Sequence, residues 1–275
     1  MRLPRLFSLL ILIGSFAALA SPAADFTLSH TVLGQTTSVD FNTVAGAGVF
    51  NWNVAGVNQL NYQWFYYRVG AAGPEAPIQN ISSTPTTVYN AVARTLDLTY
   101  NNGSYSVETL FKLTGGNTPN LSETITVNNH SGASLDFHLF QYSDFDLWGL
   151  AGGQSVQFSQ NSVTSQYYKA LQTDGSHTVT ELVNSASPPI SHFDAQPANV
   201  TLASLTDGSP TTLSDSTSAG PGNVTFAYQW DVTLANTGSF QLSKLLTIVP
   251  EPSIFSLIIA ALATAHTMRR KKISP

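Results

Sequence analysis

The stretch "LDFHLFQYSDFDLWG", residues 135–149, concentrates side chains capable of chemistry. If Leu135, Phe137 and Leu139 face a core, the two-residue period of a strand puts Asp136, His138, Phe140, Tyr142 and Asp144 on the opposite face, with Asp146 joining them if the strand runs that far. Carboxylates, an imidazole and rings on one surface suit a sugar, whose hydroxyls pair with carboxylates and whose C–H faces lie against rings. Asp144 and Asp146 also carry the oxygen ligands that Ca²⁺ prefers. No Gly-centred loop or distal bidentate Glu follows at calcium-loop spacing, so no metal site is assigned. Two carboxylates could hydrolyse a glycoside, but residues two apart on one strand lie roughly 7 Å apart along the backbone, and sequence does not set the separation of their carboxyl groups. A solvated sheet face ending in an acidic turn accounts for the same residues with no ligand at all.

A second ring-rich stretch, "LNYQWFYYRV" at 60–69, holds Tyr62, Trp64, Phe65, Tyr66 and Tyr67 beside Arg68. Rings fall on both faces, so some belong to a core; an exposed one, with Trp64 the candidate, could stack on a sugar. The histidines show no HExxH spacing, and no G-x-S-x-G turn is present. The chain has no cysteine, which removes disulfides, a thiol nucleophile and thiolate metal sites. With no clustered catalytic set, the sequence reads as a non-enzyme without a cofactor.

The elements that would position these residues read as β almost throughout. From Val224 to Leu234 apolar and polar residues alternate, the pattern of a half-buried strand. "TLDLTYNNGSYSVETLFKL" sets Asn102-Gly103 between two alternating runs, and "YYKALQTDGSHTVTEL" does the same with Asp174-Gly175. Both read as hairpins, because Asn, Asp and Gly accept the positive φ of tight turns. Further strands are expected at 26–33, 60–69, 122–128, 135–142, 200–205 and 239–248, and residues 206–223 read as a long surface loop. No amphipathic helix of ten or more residues is expected between Ser21 and Val249. The fold class is therefore all-β, an antiparallel β-sandwich body over 21–249 that is taken as one domain.

Composition agrees with an extracellular β-protein. Only 10% of the residues are charged, against about 25% in an average domain, so solubility falls to Ser, Thr, Asn and Gln. The formal charge of −5 conceals an uneven distribution: residues 21–249 hold five cations and fifteen carboxylates, a net charge near −10. Such a body repels nucleic acid, which is excluded as a partner.

The remaining cations sit at the two ends. The start, "MRLPRLFSLLILIGSFAALASPAADF", has a cationic head, an apolar stretch and a small-residue pattern at Ala18-Leu19-Ala20, which predicts a secretory signal peptide over residues 1–20. The end, "TIVPEPSIFSLIIAALATAHTMRRKKISP", runs from Pro250-Glu251-Pro252 through an apolar stretch at 253–268 to Arg269, Arg270, Lys271 and Lys272. As a helix that stretch would span about 24 Å, short for a hydrocarbon core of about 30 Å but extendable by snorkelling cations that hold their end in the cytoplasm. A transmembrane helix with a cytoplasmic tail is the expectation.

These three parts, in this order, resemble the PEP-CTERM sorting signal of Gram-negative bacteria, and the resemblance covers residues 250–275. It implies an exosortase-type membrane enzyme as partner, cleavage near Pro250–Pro252, and passage from an inner-membrane intermediate to the cell surface or extracellular matrix, often in cells that make exopolysaccharide. It says nothing of what the body does. The expected role is thus a surface or matrix protein without catalytic activity. Two alternatives stay open, a carbohydrate-binding sandwich acting on exopolysaccharide and a polysaccharide-active enzyme.

Overall fold

The structure, a computed structural model, describes residues 24–249 except 45, 47, 117, 185 and 186. The expected signal peptide and the expected sorting signal, with its membrane helix, lie outside the described residues. Among the described residues no helix is long and apolar enough to cross a membrane.

Two antiparallel sheets carry the architecture, in accord with the all-β expectation. The first contains β1 (Phe26–Val32), β2 (Gln35–Asn42), β3 (Gly48–Val54), β5 (Leu60–Val69), β11 (Leu135–Phe145), β17 (Val224–Leu234) and β15 (His192–Pro197), in that spatial order. The short β4 (Val57–Asn58) and β6 (Ala76–Pro77) pair with β3 and β5. The second runs β16 (Ser218–Gly222), β12 (Gln154–Gln160), β13 (Tyr167–Thr173), β14 (Thr178–Val183), β18 (Ser239–Val249), β10 (Asn120–Asn129), β9 (Tyr105–Thr114), β8 (Thr95–Asn101) and β7 (Thr86–Asn90). One hydrophobic cluster fills the space between them, with Trp52, Phe65, Phe111, Phe137, Tyr228, Leu242 and Leu246 among its members. At one edge the Tyr89 hydroxyl of β7 donates to the Thr27 carbonyl of β1 at 2.8 Å, tying the sheets together.

Both hairpins form where the turn chemistry places them. Asn102 Oδ1 accepts from the backbone N–H groups of Ser104 and Tyr105, Gly103 adopts φ 88°, and β8 pairs with β9 across the turn. Asp174 Oδ1 accepts likewise from Ser176 and His177, and Gly175 adopts φ 95° between β13 and β14.

Three sequence expectations need correction. Residues 200–205 form no strand: α1 (Val200–Thr206) is a short helix that turns Thr201 and Leu205, four residues apart, toward the first sheet. Tertiary contact overrides the weak local preference of these residues, because the Thr201 hydroxyl donates to the buried Asp194 at 2.9 Å. The segment 206–223 is no plain surface loop either, since Leu213 is buried with its N–H donating to Gln229 Oε1, and β16 lies at its end. Finally, β17 is buried on both faces from Val224 to Trp230.

That last finding has a structural cause. β17, β11 and β5 are interior strands of the first sheet, and their outer face is roofed by two segments, one around residues 75–81 and the other from α1 to residue 214. Arg68 fastens both parts of the roof: its Nη1 donates to Glu75 Oε1 at 2.6 Å and to the Thr211 carbonyl at 2.9 Å, while its guanidinium stands 5.9 Å from the Phe140 ring centre. Ile78, Ile81, Leu205 and Leu213 of these roof segments are buried.

Candidate functional site

The outer face of the first sheet carries the residues singled out by sequence. The register aligns Tyr142 with Trp64 and Ala227, His138 with Arg68 and Asp231, and Asp144 with Tyr62. At about 3.4 Å per residue, His138 and Asp144 stand about 20 Å apart along β11, with buried Phe140 between them. The structure therefore divides the expected face into two clusters.

The cluster at the end of β11 is the more enclosed. Asp144 is only 7% exposed; its Oδ2 accepts from Asn61 Nδ2 at 2.8 Å, and its Oδ1 is buried without a hydrogen-bond partner. Burial pushes its carboxyl up to about 6, with nearby Asp146 adding to the shift and Asn61 opposing it. Asp146 is likewise raised by burial, and its Oδ1 also lacks a partner. Three phenols stand alongside. The Tyr62 and Tyr66 hydroxyls are 2.8 Å apart, and the Tyr62 and Tyr142 rings lie 5.9 Å apart. Burial raises all three, so each stays protonated and able to donate. The Tyr142 hydroxyl lies close to Thr225 and to the Asn199 backbone, which partly offset its upward shift, yet neither it nor Thr225 Oγ1 makes a well-formed hydrogen bond. Asn61 is exposed and opens this cluster toward solvent.

At the other end His138 Nδ1 lies 2.6 Å from Asp231 Oδ1, and its Nε2 lies 3.4 Å from Asp136 Oδ2. His192 extends the chain, with Nδ1 3.0 Å from Asp215 and Nε2 3.7 Å from Asp231. Each imidazole is held between carboxylates, and no group of three or more such residues among the described ones is arranged to hold a metal ion.

Trp64 needs correction. Its ring is wholly buried and its Nε1 donates to Gln79, while Gly48 at φ 60° lets β3 approach so closely that a Cβ there would lie 2.8 Å from the ring. A ring without exposed surface offers no stacking platform. Among the described residues the exposed rings include Tyr89, 43% exposed, and Trp148, 37% exposed and stacked at 4.5 Å on His177.

Several members of these clusters escaped sequence reasoning. Asn61 and Tyr66 lie in the ring-rich stretch already noticed, but Thr225, His192, Asp215 and Asp231 come from strands or loops far along the chain. No local spacing announces them. A separate cavity of about 290 Å³ opens beside β13, lined by Asn161, Gln166, Tyr167, Tyr168, Asn184 and Ile190 among others, with no charged residue in its wall.

No protein-family model matches the sequence, and no curated protein matches it closely enough to count as a relative. Solved structures do resemble the fold. A bacterial glucoamylase complexed with acarbose superposes with a TM-score of 0.60 at 9% identity, over 89% of this chain and 34% of that one. A galactose mutarotase-like protein from Lactobacillus casei (TM-score 0.42, 12% identity, 81% of this chain and 100% of that one) and a polysaccharide lyase (0.47, 12%, 78% and 32%) are looser likenesses. The chain thus spans about a third of the glucoamylase, and at this identity the likeness concerns fold alone. It still overturns one expectation: a sandwich of this kind occurs within a carbohydrate-active enzyme, so the missing sequence motifs do not make the chain a non-enzyme.

Proposed function

We propose that this protein is exported and recognises carbohydrate through the cluster of Asn61, Tyr62, Tyr66, Tyr142, Asp144 and Thr225. The observation that carries the reading is the Asp144 carboxyl, buried with one oxygen unpaired close to the Tyr142 hydroxyl. Buried polar atoms are normally satisfied, and those that are not await a partner that can supply hydrogen bonds. Sugar hydroxyls, each both donor and acceptor, complement such a set, and the neighbouring rings match their C–H faces. The fold likeness to a domain of a glucoamylase supports the same class of ligand.

Binding of the purified protein to the host's own exopolysaccharide tests this reading. Tyr62→Phe and Asp144→Asn should each weaken binding about ten-fold, the effect of one lost hydrogen bond in a closed site. Tyr168→Ala, in the uncharged cavity, should leave it unchanged. Loss of binding in Tyr168→Ala alone would move the site to that cavity, and no binding by the unaltered protein would end the proposal.

A second reading, acid–base chemistry on a carbohydrate, is favoured by one specific feature: a carboxyl pushed up to about 6 is matched to proton transfer near neutral pH. If Asp144 acts as the acid, the rate should fall as pH rises through about 6, and Asp144→Asn should abolish turnover. A rate flat across that range would exclude this role.

For export we propose the route implied by the two ends: removal of residues 1–20, then anchoring and processing at Pro250–Pro252 by an exosortase-type enzyme, with delivery to the cell surface or matrix. The order of the three tail parts supports it. Mass spectrometry of the surface-exposed protein checks it, and a dominant form still carrying "MRRKKISP" would refute cleavage.

A further inference from the structure

The sealed space between the sheets holds a cluster that carbohydrate recognition does not use. Lys244 of β18, wholly buried, lies 2.6 Å from Glu123 Oε2 and 2.9 Å from Glu181 Oε1, and its Nζ touches Oε1 of Gln141 on the facing strand β11. Gln141 Nε2 donates in turn to Glu181 Oε2 at 3.1 Å and to Ser143 Oγ at 3.0 Å. Gln63 Nε2 donates to Glu123 at 2.9 Å, and the Phe65 ring centre stands 5.0 Å from Lys244 Nζ. Gln63, Gln141, Glu123, Glu181 and Lys244 are each at most 1% exposed.

Glu181 occupies a telling position: one carboxylate spans the amine of Lys244 and the amide nitrogen of Gln141. We propose that Lys244 and Gln141 are joined by an intramolecular amide bond, formed by attack of Lys244 Nζ on Gln141 Cδ with Glu181 as proton carrier. The atoms balance without an oxidant or a co-reactant. The Nζ–Cδ bond forms, the Cδ–Nε2 bond breaks, and Glu181 passes a proton from Nζ to Nε2, which leaves as ammonia. Lys244 must first lose the proton that makes it an ammonium. Glu123, paired with it across the β10–β18 ladder, can hold that proton, because burial raises its carboxyl above the ordinary range.

Aminolysis of an amide is slow in water, but fixed contact between the reacting groups is worth effective concentrations of order 10⁵ M or more. The dry, ring-lined surroundings exclude hydrolysis. The bond would staple β18 of the second sheet to β11 of the first. In a chain without cysteine no disulfide can serve that purpose.

The test is peptide mass spectrometry of the full-length protein after denaturation and digestion. The expected species is a branched peptide linking the Gln141 and Lys244 segments, lighter than the two together by one ammonia. Glu181→Gln should yield the unlinked peptides, and Gln141→Glu should yield the same branched product with water as the leaving group. Unlinked segments throughout the unaltered protein would overturn the proposal, as would a branch on Glu123 formed with loss of water. Full linkage in Glu181→Gln would overturn the role of Glu181. Should that variant fail to fold, the unaltered protein and Gln141→Glu still decide.

Discussion

Gln141 and Asp144 lie three residues apart on β11 and face opposite ways, Gln141 into the Lys244 cluster between the sheets and Asp144 into the cluster under the outer roof. Both clusters are buried and both are built from carboxylates and amides. The inner one brings the Lys244 nitrogen against two carboxyl groups and the Gln141 side chain, so most of its polar groups satisfy one another in a dry interior. The outer one has phenols and carboxylates, no cation, and the Asp144 and Asp146 Oδ1 atoms both without partners, whereas in the inner one Gln63 Oε1 lacks a partner and Glu123 Oε2 is held by Lys244. Burying charge is costly unless it is paired, and polar groups left unpaired represent stability forgone. The inner cluster is thus suited to hold the fold together, and the outer one is where we propose that a ligand binds.

Removing the Lys244 side chain should break the inner cluster most severely. Lys244→Ala leaves two carboxylates in a sealed core and should destabilise the protein by about 3–5 kcal/mol in urea denaturation; a loss below about 1 kcal/mol would mean the pair is not held there. Trp64→Ala comes next, at about 3–4 kcal/mol, because it empties a packed site. It should do so without the selective loss of carbohydrate binding that a stacking platform would show.

The outer cluster should respond in the opposite direction. Asp144 has a folded-state carboxyl at about 6 against an ordinary value of 3.8. A raised acid binds its proton more tightly in the folded state, so its contribution to stability is complete below about pH 4 and lost as pH rises through about 6. At pH 7 the ionised, buried carboxyl is a liability, and Asp144→Asn should stabilise the protein there by about 1–3 kcal/mol while flattening the pH dependence between 4 and 6. Stabilisation together with loss of binding would be the signature of a site; destabilisation would erase the contrast between the clusters. The smallest effect is expected at the solvent-facing chain of imidazoles. Asp231→Asn, at a pair with His138 that is partly exposed, should change stability by no more than about 1 kcal/mol.

The parts of this molecule that depend on near neighbours were determined by the sequence itself. The hairpins at Asn102-Gly103 and Asp174-Gly175 follow from which residues tolerate positive φ, and the strands around them follow from a two-residue alternation that any extended chain obeys. Even the inner cluster left a trace: Glu123, Glu181 and Lys244 each occupy the apolar phase of an alternating run, as in "FQLSKLLTI", where a charge is out of place. What those charges meet was decided by the register of β10 on β18 and by the strand of the facing sheet. The same holds for the outer cluster, where Asp144 is bonded to a residue 83 positions away and Thr225 arrives on another strand. Whether Trp64 is exposed, whether residues 200–206 coil, and whether β17 is buried on one face or two all turn on the roof. The roof is held by contacts such as Arg68 to Thr211, 143 residues apart. Such contacts are sums over distant parts of the chain, and local periodicity carries no record of them, so only the tertiary structure could decide which acidic residues are matched between the sheets and which keep an unpaired oxygen under the roof.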